Sequence, residues 1–222
     1  MMSSEAPARS KVTWGFTVSL DGFITGPDHD MSWMETLPRM DGDVVAKLAE
    51  PVGVIISGRR GYDAARAQAA ERDELTAEAY GGAWSGTELI LTHRPLELAD
   101  DPQVTALDVD IVEAVGRAQQ IADGRDIQII SADIGRQALE HDLIDELQIF
   151  SAPVFLGDGT RAFAVPGGRV VRWELVERIP GAEAALGRVY RPLRGCAAPL
   201  RRRRPDTLEG CRAVARGAED QR

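Results

Sequence analysis

The chain has 222 residues and carries a formal net charge of −9 at pH 7. This length suits one substantial domain with some length left for tails, and the negative charge argues against a nucleic-acid-binding protein, because phosphate backbones are bound by clustered cationic side chains. The longest apolar runs, such as Val52–Ile56, are too short to cross a bilayer, so neither nucleic acid nor a membrane is expected as a partner.

The two ends of the sequence differ from its middle. Residues 1–10 form a polar leader that lacks the apolar core of a signal peptide, so export is not expected. Residues 195–222 are polar and rich in arginine, a composition that favours disorder over polyanion binding. Both cysteines, Cys196 and Cys211, lie in this tail, which fits a reducing compartment. The sequence therefore predicts a cytoplasmic protein with one folded domain over residues 11–194.

One common kind of site is excluded by residue type, and a second has no support from residue spacing. The lysines are Lys11 and Lys47, and neither follows a Gly-rich loop, so the sequence holds no P-loop for nucleotide phosphates. The histidines His29, His93 and His141 lie far apart and share no metal-ligand spacing, so no metal site is predicted.

Short β-like runs alternate with helical patterns along the middle of the chain. Strands are predicted where β-branched and other apolar residues cluster, and helices where apolar residues recur with a helical period. In chain order these are strand Val12–Leu20, helix Val44–Glu50, strand Val52–Ser57, strand Glu88–Thr92, helix Ile111–Ala122, strand Ile127–Ile130, helix Ile134–Glu140 and strand Asp145–Val154. Val170–Arg178 and Ala184–Arg191 are predicted to form a closing antiparallel hairpin across Pro180-Gly181.

This alternation predicts an α/β protein with a mostly parallel central sheet and helices on both of its faces. The continuous apolar run Val52–Ser57 is typical of a strand that is buried on both sides. In such sheets ligands bind beyond the carboxyl ends of the strands, so residues that directly follow strands are the candidates for a site.

A glycine pattern late in the chain imitates a dinucleotide-binding loop. Residues 157–162 read Gly-Asp-Gly-Thr-Arg-Ala, which matches the loose pattern GxGxxA. In a true Rossmann unit this loop opens a helix whose N-terminus faces the pyrophosphate. Here Val165-Pro166-Gly167-Gly168 follows, which is incompatible with a helix interior, so we expect a turn at a strand end.

Several segments, each weak alone, carry a specific signal when they are taken in order. They are Ser19–Asp28, Trp33, Gly58–Tyr62, Leu91–Pro95, Ala138-Leu139, Leu143–Leu147, Pro153–Gly159 and Phe163. Taken together over Lys11 to Arg194, they resemble the dihydrofolate-reductase-like superfamily, and within it the C-terminal reductase domain of the bacterial riboflavin-biosynthesis protein RibD. The resemblance implies a central sheet flanked by helices with a C-terminal antiparallel hairpin.

The resemblance also implies an NAD(P)H-dependent reductase of a small heterocycle such as a pterin or a pyrimidine. NADPH is the expected cofactor, with NADH as the alternative, and a homodimer is expected. The residues expected to bind the cofactor are Gly58, Arg59, Arg60, Thr92, His93, Arg94, Ser131, Ala132, Asp133 and Ile134. Glycine lets a ligand approach the backbone closely, and arginine matches phosphate in bidentate fashion. The two arginines could equally serve as ordinary helix-cap or ion-pair residues, and His93 could be a plain surface residue.

Three residues are candidates on the substrate side. Asp21 follows the first predicted strand and could orient a substrate or relay a proton, although Asp-Gly is also a preferred turn pair. Trp33 could stack on a flat ring or pack in the core. Tyr62 could line the same cleft or anchor the following helix. Other acids that the sequence cannot rank against Asp21 are Glu35, Asp41 and Asp43.

The sequence departs from the family pattern at two places. Riboflavin-pathway reductases commonly carry lysine directly after Ser-Leu-Asp-Gly, but position 23 is Phe, which argues against a sugar-phosphate substrate. Where the family usually has Gly-Gly after the strand Ile127–Ile130, this chain has Ser131-Ala132-Asp133. We expect Asp133 to cap the helix N-terminus and repel a phosphate, at roughly 4 kcal/mol for charges about 4 Å apart. In the alternative interpretation the protein is a non-catalytic relative of these reductases. It has the same fold, has lost NADPH binding, and acts as a ligand-binding or interaction module.

Overall fold

A computed structural model describes residues 9–71, 78–94, 102–165, 167–181, 185–193 and 198–199. Its helices are α1 (Gly42–Ala49), α2 (Arg59–Glu71), α3 (Ile111–Ala122) and α4 (Ala132–Glu140), with short 3-10 helices at Pro27–His29, Ser32–Thr36 and Ala79–Gly82. Its strands are β1 (Val12–Val18), β2 (Phe23–Thr25), β3 (Val52–Gly58), β4 (Thr87–Leu91), β5 (Val104–Leu107), β6 (Asp126–Ile129), β7 (Glu146–Ser151), β8 (Thr160–Arg161), β9 (Arg169–Val170), β10 (Trp173–Arg178), β11 (Leu186–Pro192) and β12 (Ala198–Pro199).

Eight strands form the central sheet in the order β10-β11-β7-β1-β6-β3-β4-β5. The six strands from β7 to β5 in this order run parallel to one another. β11 is antiparallel to β7 and to β10, so the C-terminal hairpin closes one edge of the sheet. This arrangement confirms the predicted dihydrofolate-reductase-like architecture of a mostly parallel sheet with a C-terminal antiparallel hairpin.

The sheet has a hydrophobic core on each face. Val52–Ser57 of β3 is buried along its whole length, as predicted for a strand covered on both sides. The larger core joins alternate residues of the central strands, among them Trp14 and Ile56, to the apolar sides of α3 and α4. A second core on the other side gathers Trp33 and Phe150 with neighbouring small residues. Burial of these side chains stabilises the fold by about 1.5–3 kcal/mol for each large one.

Helix boundaries follow local capping chemistry. At α3, whose predicted range is confirmed, the Asp110 side chain accepts a hydrogen bond from the Glu113 N–H at 2.9 Å. The helix ends where Asp123 and Gly124 adopt left-handed backbone conformations. No helix among the described residues is long and apolar enough to span a membrane.

The structure also bears on two details of the sequence predictions. Gly157 and Gly159 have positive φ angles and lead into β8, which confirms a turn in place of a dinucleotide-binding helix. Ser10, assigned to the leader, is buried and exchanges two hydrogen bonds with Gln119 of α3. Residues 1–8, and all of the predicted tail except Ala198–Pro199, lie outside the described residues.

Candidate active site

The residues predicted to bind a cofactor follow three neighbouring strands. Gly58 ends β3, Thr92 follows β4, and Ser131 lies two residues beyond the end of β6. Because β6, β3 and β4 are adjacent and parallel, their carboxyl ends meet at one edge of the sheet. The structure therefore brings the three predicted segments together, and the end of β1 with Asp21 lies next to them.

Gly58 and Ser131 lie close to each other at this edge. A Cβ atom added at Gly58 would lie 3.3 Å from the Ser131 hydroxyl oxygen and 3.7 Å from Cγ1 of Ile134. The end of β3 thus faces the N-terminus of α4 across a gap that a side chain at position 58 would narrow. A gap of this kind permits close approach of a ligand to the backbone.

The N-terminus of α4 is capped by a residue other than the expected one. The Ser131 side chain accepts a hydrogen bond from the Ile134 N–H at 3.5 Å, at the outer limit of such bonds. The expectation that Asp133 caps this helix is wrong, because Asp133 is the second helical residue and its side chain bonds to other side chains on the helix surface. Within the described ranges, no acceptor bonds the N–H groups of Ala132 and Asp133.

The charge of Asp133 is partly balanced by Arg136, which also forms an ion pair with Glu140 at 2.8 Å. Its two carboxylate oxygens accept hydrogen bonds of 2.8 Å from Arg136 Nη2 and Gln137 Nε2. Burial alone would raise the pKa of Asp133, but these bonds and the nearby charges of Arg136 and Arg60 lower it below its usual value. Asp133 is thus ionised at neutral pH but lies among cations, which weakens the repulsion of a phosphate that its charge alone would cause.

The two arginines that follow Gly58 differ in their surroundings. Arg59 donates from Nε to Asp63 at 2.8 Å and from Nη1 to the Arg94 carbonyl at 3.2 Å, so it joins the ends of β3 and β4. Arg59 thus has the ion-pair role that the sequence offered as the alternative to phosphate binding. Arg60 is exposed and close enough to Asp133 to lower the pKa of that carboxyl. Arg60 is therefore the better placed of the two to contact an anionic ligand.

The end of β4 forms an exposed polar turn. The Thr92 hydroxyl accepts a hydrogen bond from the Arg94 N–H at 3.1 Å. His93 Nδ1 lies 2.7 Å from a carboxylate oxygen of Asp108, and the His93 side chain is 96% exposed. Sequence reasoning missed Asp108, because it follows β5, a strand that the sequence did not predict.

Asp21 ties two loops together at the end of β1. Its carboxylate accepts hydrogen bonds from the Ser19 hydroxyl at 2.6 Å, the Leu156 N–H at 3.2 Å and the Gly157 N–H at 2.7 Å. The Ser19 hydrogen bond contributes most to lowering the pKa of Asp21 to about 2. A carboxylate held in this way stays ionised at neutral pH. The geometry favours the turn role of Asp21, and its catalytic role stays a prediction.

Replacing Asp21 with asparagine is expected to lower the thermal stability at neutral pH by a few degrees. The pKa of Asp21 in the folded protein is about 2, below its ordinary value of 3.8. Its ionised carboxylate therefore stabilises the folded protein fully above pH 3.8, and this stabilisation is lost as the pH falls through about 2. Thermal melts of the native and Asp21→Asn proteins should therefore converge as the pH is lowered to about 2. A difference that is the same at every pH would contradict this role.

The other two substrate-side candidates are packed in the protein. Trp33 is 8% exposed and belongs to the second core with Phe150, as in the packing alternative. Tyr62 is also 8% exposed and carries the Arg66 guanidinium 4.5 Å above its ring centroid. Among the acids that the sequence could not rank, Asp41 caps α1 by accepting a hydrogen bond from the Asp43 N–H. Contact of Trp33 or Tyr62 with a substrate stays a prediction.

Two cavities lie outside the cluster of predicted cofactor-binding residues, and the second of them reaches Val18 at the end of β1. One of about 480 Å³ lies at the amino ends of the strands, where Lys11 and Arg191 pair with the buried Glu146. The other, of about 300 Å³, is lined mainly by apolar side chains such as Trp14 and Trp173. In the first cavity Lys11 and Arg191 are already paired with Glu146, and the second has a single charged lining residue, Arg169, which already pairs with Asp142. We therefore place the candidate site at the carboxyl edge.

Comparisons with known proteins agree with this fold. The sequence profile of the RibD C-terminal domain matches residues 10–182. No curated protein matches the sequence at a significant level. A solved structure of a Shewanella sp. PV-4 protein assigned to riboflavin biosynthesis has a TM-score of 0.65 at 20% identity, with 83% of this chain and 99% of that chain covered.

Two further solved structures share the fold. The diaminohydroxyphosphoribosylaminopyrimidine deaminase/5-amino-6-(5-phosphoribosylamino)uracil reductase of Thermotoga maritima has a TM-score of 0.56 at 14% identity, with 83% of this chain and 57% of that chain covered. The chain thus spans little more than half of that protein. Dihydrofolate reductase from Enterococcus faecalis, complexed with NADP(H), has a TM-score of 0.50 at 12% identity, with 82% of this chain and 96% of that chain covered.

Proposed function

Because the chain belongs to the RibD C-terminal domain family, we propose that it is an NAD(P)H-dependent reductase of a small heterocycle of the pterin or pyrimidine type. NADPH, or NADH in its place, supplies a hydride to the ring, and the ring takes a proton to complete the reduction. The dihydrofolate reductase that shares this fold was solved with NADP(H), which supports a dinucleotide cofactor here.

The observation that carries this proposal is the arrangement at the N-terminus of α4. The N–H groups of Ala132 and Asp133 have no acceptor among the described residues, and Gly58 lies beside Ser131, the residue that precedes them. Helix N-termini favour anions through their free N–H groups and the helix dipole. These residues fit a cofactor pyrophosphate, with Arg60 beside them as a cation.

The remaining predicted residues complete the cofactor side of the proposal. Thr92, His93 and Arg94 lie one strand farther along the edge, where the resemblance puts the adenosine half of the cofactor. The nicotinamide would then lie toward the end of β1, beside Asp21. In this arrangement Asp21 borders the heterocycle, where it would orient the substrate or relay a proton to the ring.

The alternative function rests on the same loop. Ser131 supplies a hydroxyl where the family usually has glycine, and this hydroxyl bonds to Ile134 and narrows the gap to Gly58. If the gap is too narrow for a pyrophosphate, the protein is a relative of these reductases that binds another ligand. The free N–H groups of α4 and the pairing of Asp133 with Arg136 favour the reductase.

Titration with NADPH and NADH, followed by nicotinamide fluorescence, tests the proposed function. We expect the native chain to bind at least one of them with micromolar affinity, about 8 kcal/mol of binding free energy. The Asp133→Gly variant and the Ser131→Gly/Ala132→Gly variant should bind with similar or higher affinity. If the native chain does not bind while the glycine variants do, the alternative function is correct.

The assembly and the location of the protein stay predictions. We expect a homodimer by resemblance to the family, which size-exclusion chromatography with light scattering would measure. We expect the protein in the cytoplasm, which cell fractionation would check.

A further inference from the structure

A cavity with aromatic walls lies on the side of the sheet that α3 and α4 cover. Its volume is about 300 Å³, and it is bounded by β1, β7, the last turn of α4 and residues that follow β8. Four aromatic side chains line it, namely Trp14, Phe16, Phe163 and Trp173. None of the residues that we predicted to bind the cofactor or the substrate, all of which the structure describes, is among its lining residues. The cavity is therefore distinct from the candidate active site.

The size and the walls of this cavity suit a small flat molecule. An engineered apolar cavity of about 150 Å³ binds benzene, so a volume of about 300 Å³ has room for about two fused rings. The Trp14 ring centroid lies 5.1 Å from that of Phe16 and 6.3 Å from that of Phe163, with interplanar angles of 60° and 45°. Tilted aromatic neighbours of this kind pack against both the face and the edge of a planar ring.

Trp14 also brings an unused hydrogen-bond donor to the cavity. It is 1% exposed, and its indole N–H has no acceptor among the described residues. Helix α4 covers one face of its ring, because a Cβ atom at Gly135 would meet Cε2, Nε1 and Cδ2 at nearly equal distances. The N–H lies in the plane of the ring, so it does not point at α4. Buried donors almost always have a partner, and an acceptor on a molecule in the cavity would provide one.

The described walls of the cavity offer no free charge to a ligand. Arg169 is the one charged residue among the described lining residues. Its Nη1 donates to the Leu139 carbonyl oxygen and its Nη2 to Asp142, both at 3.0 Å, so the guanidinium is bound to the end of α4 and the loop after it. Because burial of an unpaired charge costs free energy, these walls favour an uncharged occupant over an anion or a cation.

We propose that this cavity is a second ligand-binding site, which takes an uncharged planar aromatic molecule of about two fused rings with one hydrogen-bond acceptor. The ring packs between Trp14, Phe163 and Trp173, and the acceptor bonds to the Trp14 N–H. The proposal goes beyond the reductase function and does not rest on it. Since the cavity reaches Val18 at the end of β1, the bound molecule lies against the strand that leads to Asp21.

The side-chain N–H signals of the tryptophans, recorded by NMR on the full chain, test this assignment. The chain has four tryptophans. Trp14 and Trp173 line the cavity, whereas Trp33 lies in the second core and Trp84 donates to the Val52 carbonyl. The probes are quinoline, indole and naphthalene-2-sulfonate. Quinoline has a ring nitrogen that accepts a hydrogen bond, indole has an N–H donor in its place, and the sulfonate adds a negative charge to a bicycle of the same size.

Quinoline is expected to bind with submillimolar affinity and to shift the signals of Trp14 and Trp173, while those of Trp33 and Trp84 stay in place. Indole should bind about fivefold or more weakly, because its donor leaves the Trp14 N–H without a partner. Naphthalene-2-sulfonate should bind no more tightly than quinoline, because Arg169 is already paired. Saturating NADPH should leave the quinoline affinity unchanged.

Two variants and a control locate the site. Phe163→Ala removes one wall at a position that is 43% exposed, and it should weaken quinoline binding by about tenfold. Phe155→Ala, its matched control, removes a phenylalanine that is 76% exposed and does not line the cavity, so this variant should keep the native affinity. Trp14→Phe removes the N–H, so quinoline and indole should bind to it with similar affinity. Circular dichroism checks the fold of each variant.

Three results would overturn the assignment. They are the absence of a quinoline-dependent shift of the Trp14 signal at millimolar concentration, equal affinities of Phe163→Ala and Phe155→Ala, and tighter binding of the sulfonate than of quinoline. A second copy of the chain that covers the cavity would give the first of these results. The comparison of Phe163→Ala with Phe155→Ala decides the matter even where Trp14→Phe does not fold.

Discussion

Replacing Gly58 with valine is expected to lower the affinity for NADPH by about a hundredfold, equivalent to roughly 2.7 kcal/mol. The new Cβ would lie 3.3 Å from the Ser131 hydroxyl oxygen, inside the gap that leads to the free N–H groups of α4. The two further methyl groups of valine would fill the space in which we place the pyrophosphate. Gly58→Ala should give an intermediate loss, measured in the same fluorescence titration.

Gly61→Ala is the matched control for this prediction. Gly61 lies in the first turn of α2, and a Cβ atom there would meet no atom within 4 Å. This variant should keep the native affinity and gain a little helix stability. Native affinity in Gly58→Val, with its fold confirmed by circular dichroism, would show that the cofactor does not approach β3 at this point.

Gly135→Ala is expected to lower the free energy of unfolding by about 3 kcal/mol, the upper end of the usual cost of overpacking. Gly135 lies in α4, and an added Cβ would lie 2.1 Å from Cε2 of Trp14. Trp14 is 1% exposed and belongs to the larger core, so the added Cβ would force this buried ring to shift and its neighbours to repack. Urea denaturation of the native and variant proteins measures the change.

A glycine in the neighbouring helix supplies the control. A Cβ atom at Gly116 of α3 would meet nothing within 4 Å. Gly116→Ala should therefore raise the free energy of unfolding by about 0.5–1 kcal/mol, the ordinary gain in an exposed helix position. Equal effects of the two substitutions would show that Gly135 does not contact Trp14 as described.

Elements with a strong local pattern could be predicted from the sequence. The apolar period of Ile111–Ala122 and its cap residue Asp110 determine α3 locally. The unbroken apolar run of β3 likewise reflects burial on both faces. β5 was missed because it is a short strand at the edge of the sheet, and its four residues alternate only weakly between buried and exposed.

The sequence predicted that the candidate residues lie at one edge of the sheet, but it did not predict their contacts. In a parallel sheet the segments that follow the strands, such as Gly58–Arg60, all lie at the same edge. Which residue caps α4, however, depends on where the helix begins, and the sequence does not show that Asp133 is its second residue. The contact of Arg161 with Phe23 joins segments that are far apart in the sequence, and it exists because β2 and β8 pair.

The most direct test of the central claim is the response of the backbone amides to NADPH, recorded by NMR. If the N-terminus of α4 binds the cofactor pyrophosphate, the amide signals of Ala132, Asp133 and Gly58 should shift most, and their shifts should saturate with the affinity found by fluorescence. Amide signals of α4 and β3 that stay in place at saturating NADPH would contradict the claim, whether or not the cofactor binds elsewhere.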